Sequence, residues 1–119
     1  MTCLVVCLST GKGTWSEVAN LIKKEDWDKI FLVTNDYGVE NFKLGDLEKK
    51  TTVIEINTNW GVKELTSLLK KKLIGVDGDV ALNFVSGSGK EHMAILAALL
   101  KLGVGIRLVT LSEGGIDEL

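Results

Sequence analysis

An α/β fold is predicted, an open and mostly parallel sheet of five or six strands with helices on both faces. Three observations predict it. Strand-like and helix-like runs alternate along all 119 residues. The strand-like runs are rich in Val, Ile and Leu and lack polar alternation, as in strands covered on both faces. No repeat or Ser-rich linker divides the chain, and proline is absent where average usage gives about six. A single domain spanning residues 1–119 follows.

Cys3–Leu8 is a continuous apolar run of β character, closed by Ser9-Thr10-Gly11-Lys12-Gly13. Thr14-Trp-Ser-Glu17 has the capping-box form, and Trp15, Val18, Ala19 and Ile22 then recur at helical spacing. Lys29–Thr34 is the second strand, and Asn35-Asp36 turns the chain. Tyr37–Lys50 reads as one or two short helical turns broken at Gly45. Thr52–Ile56 is the third strand, and Asn59 is the expected cap of a helix with Val62, Leu65, Leu69 and Leu73 on one stripe. Val80–Val85 is a buried strand. Met93–Leu102 is apolar almost all round, which predicts a central helix covered on most sides. Ile106–Leu111 is the last clear strand, with a turn and a short edge strand after it. This order makes a doubly wound, Rossmann-like sheet the natural topology.

Composition narrows the function. Apolar residues make up 45% and charged residues 25%, the balance of a folded globular domain. Fourteen basic against 16 acidic residues argue against binding to duplex nucleic acid, which calls for a basic excess. Arg107 is the only arginine, so lysines must supply any anion contacts. Lys70, Lys71 and Lys72 complement the dipole at a helix end. The longest apolar run, Met93–Leu100, is far short of the ~20 residues that span a bilayer. Met1–Leu8 has no basic segment before it and is read as no signal peptide, so a cytoplasmic chain without membrane contact is expected. Cys3 and Cys7, about 13 Å apart on one strand, cannot bridge and suit a reducing compartment. Cys7 alone lies close enough to a loop to be considered reactive.

Two loops carry the chemistry. In an open parallel sheet, ligands bind beyond the carboxyl ends of the strands, where strand order reverses. With strand order 3-2-1-4-5, Ser9-Thr10-Gly11-Lys12-Gly13-Thr14 and Ser86-Gly87-Ser88-Gly89-Lys90 lie side by side at that edge. Each combines glycines, hydroxyls and a lysine at a helix N-terminus, where backbone N–H groups and the dipole favour an anion. Each also has a purely structural reading, since glycines ease tight turns and Ser88-Gly-Lys-Glu91 is itself a capping box. His92, two residues beyond Lys90, is a candidate for phosphate contact or proton transfer, or else an ordinary surface histidine. Trp15 and Trp60 follow loops and could stack on bases, although aromatic anchoring is the simpler role for them and for Trp27.

Familiar motifs are excluded. A P-loop would need Gly at Phe84 and Ser or Thr at Glu91, so an ATPase is not indicated. Gly11-Lys-Gly13 lacks the third glycine of a dinucleotide fingerprint, and Asp36 is a weak ribose-binding acid. One histidine and no Cys/His spacing leave no metal site, and no cofactor is expected.

The stretch Asn83-Phe-Val-Ser-Gly-Ser-Gly-Lys-Glu-His-Met93, leading into an apolar helix, resembles the CARF family, the CRISPR-associated Rossmann fold. That family has a strand, a Thr/Ser-Gly-Gly-Thr-Lys-like loop, a methionine and an apolar helix. Ser86, Gly87 and Lys90 match the hydroxyl, first glycine and lysine. Ser88-Gly89 replaces Gly-Thr, and Met93 comes one residue late after Glu91-His92. The element order fits along nearly the whole chain, while the specific match covers about ten residues. The resemblance implies a homodimer binding a cyclic oligoadenylate, a second messenger of type III CRISPR defence. Carried over, Ser9, Thr10, Gly11 and Lys12 meet one part of the ring, Ser86, Gly87, Ser88, Gly89 and Lys90 another, and Asn35 an adenine or ribose. Gly13 and Thr14 complete the first loop. No residues remain for the effector domain that such sensors usually carry.

Three functions are consistent with this. A metal-independent ring nuclease would use the ligand's own 2′-OH, with Lys90 or Lys12 stabilising charge and His92 moving protons. A non-catalytic module would sense or sequester the messenger. An unrelated Rossmann-like protein would bind a nucleotide or serve a structural role.

Overall fold

A computed structural model describes residues 2–8, 12–76 and 78–119, with the side chain of residue 12 excepted. Six strands form one sheet: β1 (Cys3–Leu8), β2 (Lys29–Thr34), β3 (Thr51–Glu55), β4 (Asp79–Asn83), β5 (Gly105–Ser112) and β6 (Gly115–Glu118). Their order is β3-β2-β1-β4-β5-β6, and only β6 runs antiparallel to its neighbour. The expected Rossmann-like architecture is therefore present. The chain winds outward from β1 through β2 to β3, then returns to β4 on the other side of β1. The β1–β4 boundary is the switch point.

Period-two alternation divides the strand residues between two cores. Val5, Cys7, Val80 and Leu82 face helices α3 (Val62–Lys72) and α4 (Gly89–Leu102). Leu4, Val6, Leu8 and Ala81 face the opposite layer, led by α1 (Trp15–Lys24) through Val18, Leu21 and Ile22. Phe42 and Leu44, in the link after α2 (Asp36–Asn41), and Leu47 of the following 3-10 segment Gly45–Lys50 extend that layer. Gly45 opens the 3-10 segment with φ +60°, which explains the break between the two turns. Trp27 is buried and donates its indole N–H to Leu21 O at 3.2 Å, anchoring the end of α1.

Several local expectations are corrected. Thr14 precedes α1 without a side-chain capping bond, because a 3-10 turn at Lys12–Thr14 leads into the helix. Asn59 does not cap α3. Its own N–H goes to Asn57 Oδ1 at 2.9 Å, the cap position is Gly61, and Glu64 accepts from the Gly61 N–H at 3.5 Å. Strand β4 ends at Asn83, where the buried amide donates to Val109 O at 2.9 Å and accepts from Val85 N–H at 3.1 Å. The α4 helix is covered on one side only: Met93 and Leu100 are 61% and 63% exposed. The sheet and α3 reach Ala94, Ile95, Ala98 and Leu99, and among the described residues nothing covers the far side.

Arg107 is occupied structurally. Its guanidinium meets Glu118 at 3.2 Å and Thr2 Oγ1 at 3.1 Å, tying the start of the chain to β6. No helix of the described residues is long and apolar enough to cross a membrane.

Candidate functional site at the carboxyl edge of the sheet

Strands β1 and β4 pair directly, with Val6 opposite Asn83, so their two exits leave from adjacent positions. Residues 9–11 of the first exit lie outside the described residues, as does the side chain of Lys12. Gly13 is exposed and Thr14 half-buried at the start of α1. The second exit is described in full.

Ser86 is buried, and its carbonyl accepts from His92 Nε2 at 2.7 Å. A carbonyl can only accept, so this nitrogen carries the proton. The imidazole also stacks on Phe84, with ring centroids 4.3 Å apart. His92 thus braces the loop from inside the first turn of α4. Gly87 has φ +109°, and a Cβ there would lie 2.7 Å from Cys7 Sγ and 2.8 Å from His92 Nε2. The loop folds down onto the end of β1 only because this residue has no side chain.

Ser88 gives both its N–H and its hydroxyl to the Glu91 carboxylate. Glu91 thereby supplies the carboxylate side of the expected Ser88-Gly-Lys-Glu91 capping box and takes the serine hydroxyl as a further donor. That acid is buried. The Cys7 thiol lies beneath the loop, and burial, aided by the charge of Glu91 and opposed by the Leu8 backbone, pushes its pKa up to about 12. Cys3 is raised to about 11, chiefly by burial. Neither sulfur offers a thiolate near neutral pH, so Cys7 is a packing residue despite its position.

Lys90 reaches sideways across the edge and donates to Thr58 O in the segment after β3. That bond links the β4 exit to a neighbouring cleft lined by Asn35, Asp36 and the segment Glu55–Trp60. Asn35 caps α2 by accepting from Gly38 N–H at 2.9 Å. Just before it, Thr34 donates its hydroxyl to Leu8 O at 2.8 Å, holding the ends of β1 and β2 together. Gly38 packs on Thr34 with no space for a Cβ, so α2 sits tightly over this strand end.

The fold thus brings Gly13, Thr14, Asn35 and the whole 86–90 loop to one edge. Sequence reasoning placed Glu91 in a capping box without seeing it as the organiser of the loop, named Trp60 for stacking, and missed Phe84 as the support of His92 and the pair Asn57 and Thr58. A Glu three residues after Ser88 was a visible sign of the first. That pair carries no glycine–lysine pattern and reads as a turn. Of the tryptophans, Trp15 packs against Tyr37 and Phe42 at 5.7 and 5.6 Å and Trp27 is buried, while Trp60 is 38% exposed.

Chemically, this edge offers backbone N–H groups at the start of a 14-residue helix, a serine-glycine loop and a lysine. Groups of these kinds can accept an anion. Among the described residues no group of three or more His, Cys, Asp or Glu could hold a metal ion. No protein-family model matches the sequence, and no characterised protein matches it.

Proposed function

We propose that this chain is a CARF-type domain of the cytoplasm that binds a cyclic oligoadenylate across a homodimer two-fold. The observation that carries this reading is the direct pairing of β1 with β4, which sets the Lys12–Thr14 turn beside the 86–90 loop at the switch point. Helices α1 and α4 both begin at that edge, so two helix N-termini face one ligand region.

The exposed side of α4 supports the dimer. Met93, Leu96 and Leu100 recur at spacings of three and four, the seam of a helix pair. A two-fold parallel to α4 places both 86–90 loops at the same end, where one symmetric ring meets identical groups from each copy. Few positive charges are then needed per chain, in keeping with the net charge of −2.

Binding is favoured over cleavage. His92 and Lys90 each have a structural partner, Ser86 O and Thr58 O. Ring cleavage is the catalytic extension of the same site, with the ligand's 2′-OH as nucleophile and Lys90 as charge stabiliser.

A thermal-shift comparison of cyclic tetra- and hexa-adenylate, with ATP and NAD as controls, tests the reading. A ligand at 100 times its dissociation constant adds about 2.7 kcal/mol, a rise of several degrees for a domain of this size. One ring size alone is expected to give that rise, with the ring recovered intact. Linear products bearing a 2′,3′-cyclic phosphate, lost in Lys90→Ala with binding retained, would establish the nuclease instead. No shift with either ring refutes the proposal.

A further inference from the structure

The cleft between the ends of β2 and β3 has a volume of about 490 Å³ and belongs to neither glycine-containing loop. Its chemistry differs from theirs. Among the described residues no lysine lines it, and two exposed carboxylates, Asp36 and Glu55, do. Like charges repel at this range, so a phosphate is disfavoured inside the cleft. A neutral group with N–H and O–H donors is favoured.

The remaining lining gives that group a shape. Trp60 is the most exposed of the three indoles, and among the described residues no ring contact involves it. Its backbone N–H is held by Asn57 O at 3.0 Å, so the ring stands on a fixed turn. Asn57 Oδ1 accepts from Asn59 N–H at 2.9 Å, which fixes the carboxamide of this lining residue and commits its oxygen, so its amide nitrogen is the group it can offer a ligand. A flat aromatic face, carboxamides and carboxylates together suit a heterocycle with both donors and acceptors on its edge, and ribose hydroxyls beside it. The rim facing the 86–90 loop is where Lys90 meets Thr58 O. Charge is therefore divided: acids inside the cleft, a lysine at its border.

We infer that this cleft binds the base and ribose of a purine nucleoside, stacked on Trp60, with any attached phosphate outside the cleft on the Lys90 side. The identity of the base as adenine rests on the proposed function, whereas the cleft's choice of an uncharged purine nucleoside does not. The nucleoside could be free or one unit of a cyclic oligonucleotide. Both present the same chemistry to Trp60.

The test is a nuclear magnetic resonance titration of the full chain, read at the Trp60 indole N–H and the Asn57 side-chain amide. Adenosine, guanosine, uridine, inorganic phosphate and cyclic tetra-adenylate are the probes, the nucleosides at millimolar concentration. A purine nucleoside is expected to move both signals saturably, uridine less, and phosphate neither. Trp60→Ala should weaken purine nucleoside binding about tenfold, with Trp60→Phe restoring most of it. Movement with adenosine alone and none with the ring points to a free nucleoside as the ligand, and movement with both to a unit of the ring. Guanosine binding without adenosine binding supports the cleft and counts against an adenylate messenger. Ring binding detected elsewhere, with Trp60 unmoved by every probe, overturns the cleft and leaves the proposed function standing. Equal affinity of Trp60→Ala and the parent protein also overturns it.

Discussion

Cys7, Gly87 and His92 meet at one point, and each constrains the others. The would-be Cβ of Gly87 collides with both neighbours, so the loop, the thiol and the imidazole pack as a unit. Burial raises the Cys7 pKa from 9.0 to about 12, so the folded state holds this proton more tightly than the unfolded state does. The resulting stabilisation is complete below pH 9 and declines as pH rises from there towards 12, because the unfolded thiol ionises first. Urea midpoints measured at pH 7 and pH 10 should therefore fall more for the parent protein than for Cys7→Ala. An equal fall would show that the thiol is not held protonated by the fold. The same environment leaves Cys7 unreactive towards alkylating reagents in the native state. Sequence alone pointed to Cys7 through its proximity to a loop. The burial that silences it depends on a glycine 80 positions later in the chain, which no local pattern encodes.

At the scale of elements, α4 presents two different faces with nearly the same composition. Ile95 is fully buried under α3 and the sheet, while Leu100, five residues on, is 63% exposed. Ile95→Ala should cost about 2–5 kcal/mol in denaturant unfolding, the usual range for such a core truncation. Leu100→Lys should change stability by less than about 0.5 kcal/mol, the surface range. It should also convert the proposed dimer to monomer in analytical ultracentrifugation. A Leu100→Lys protein that remains dimeric removes the α4 seam from the account. The apolar run of this helix was legible in the sequence, and its partial exposure was not. Hydrophobic periodicity reports which residues avoid water, and it cannot say whether a covering layer comes from the same chain. The bounds of β1 and β2 were read correctly because burial on both faces leaves a continuous apolar run that has no competing explanation. The caps at Thr14 and Asn59 were misread because a capping side chain and a turn side chain share one local pattern. A 3-10 turn and an Asn57–Asn59 bond took over their places.

For the whole molecule, sheet order decides what the loops can do. Order β3-β2-β1-β4-β5-β6 puts the two lysine-bearing exits next to each other, with the β2 and β3 exits beside them. This convergence could be anticipated from the alternation of elements, because right-handed crossovers leave few other arrangements. The Lys90–Thr58 bond and the cleft behind it could not, since they join residues 32 apart through a side chain. The central claim is that a ring-shaped adenylate is shared by two copies of this edge. Isothermal titration of the full chain with cyclic tetra- and hexa-adenylate, alongside sedimentation of the complex, measures that claim directly. The account predicts that one of the two rings binds at one ring per two chains, in a particle of dimer mass. Binding of one ring per monomeric chain, or of neither ring, would contradict it.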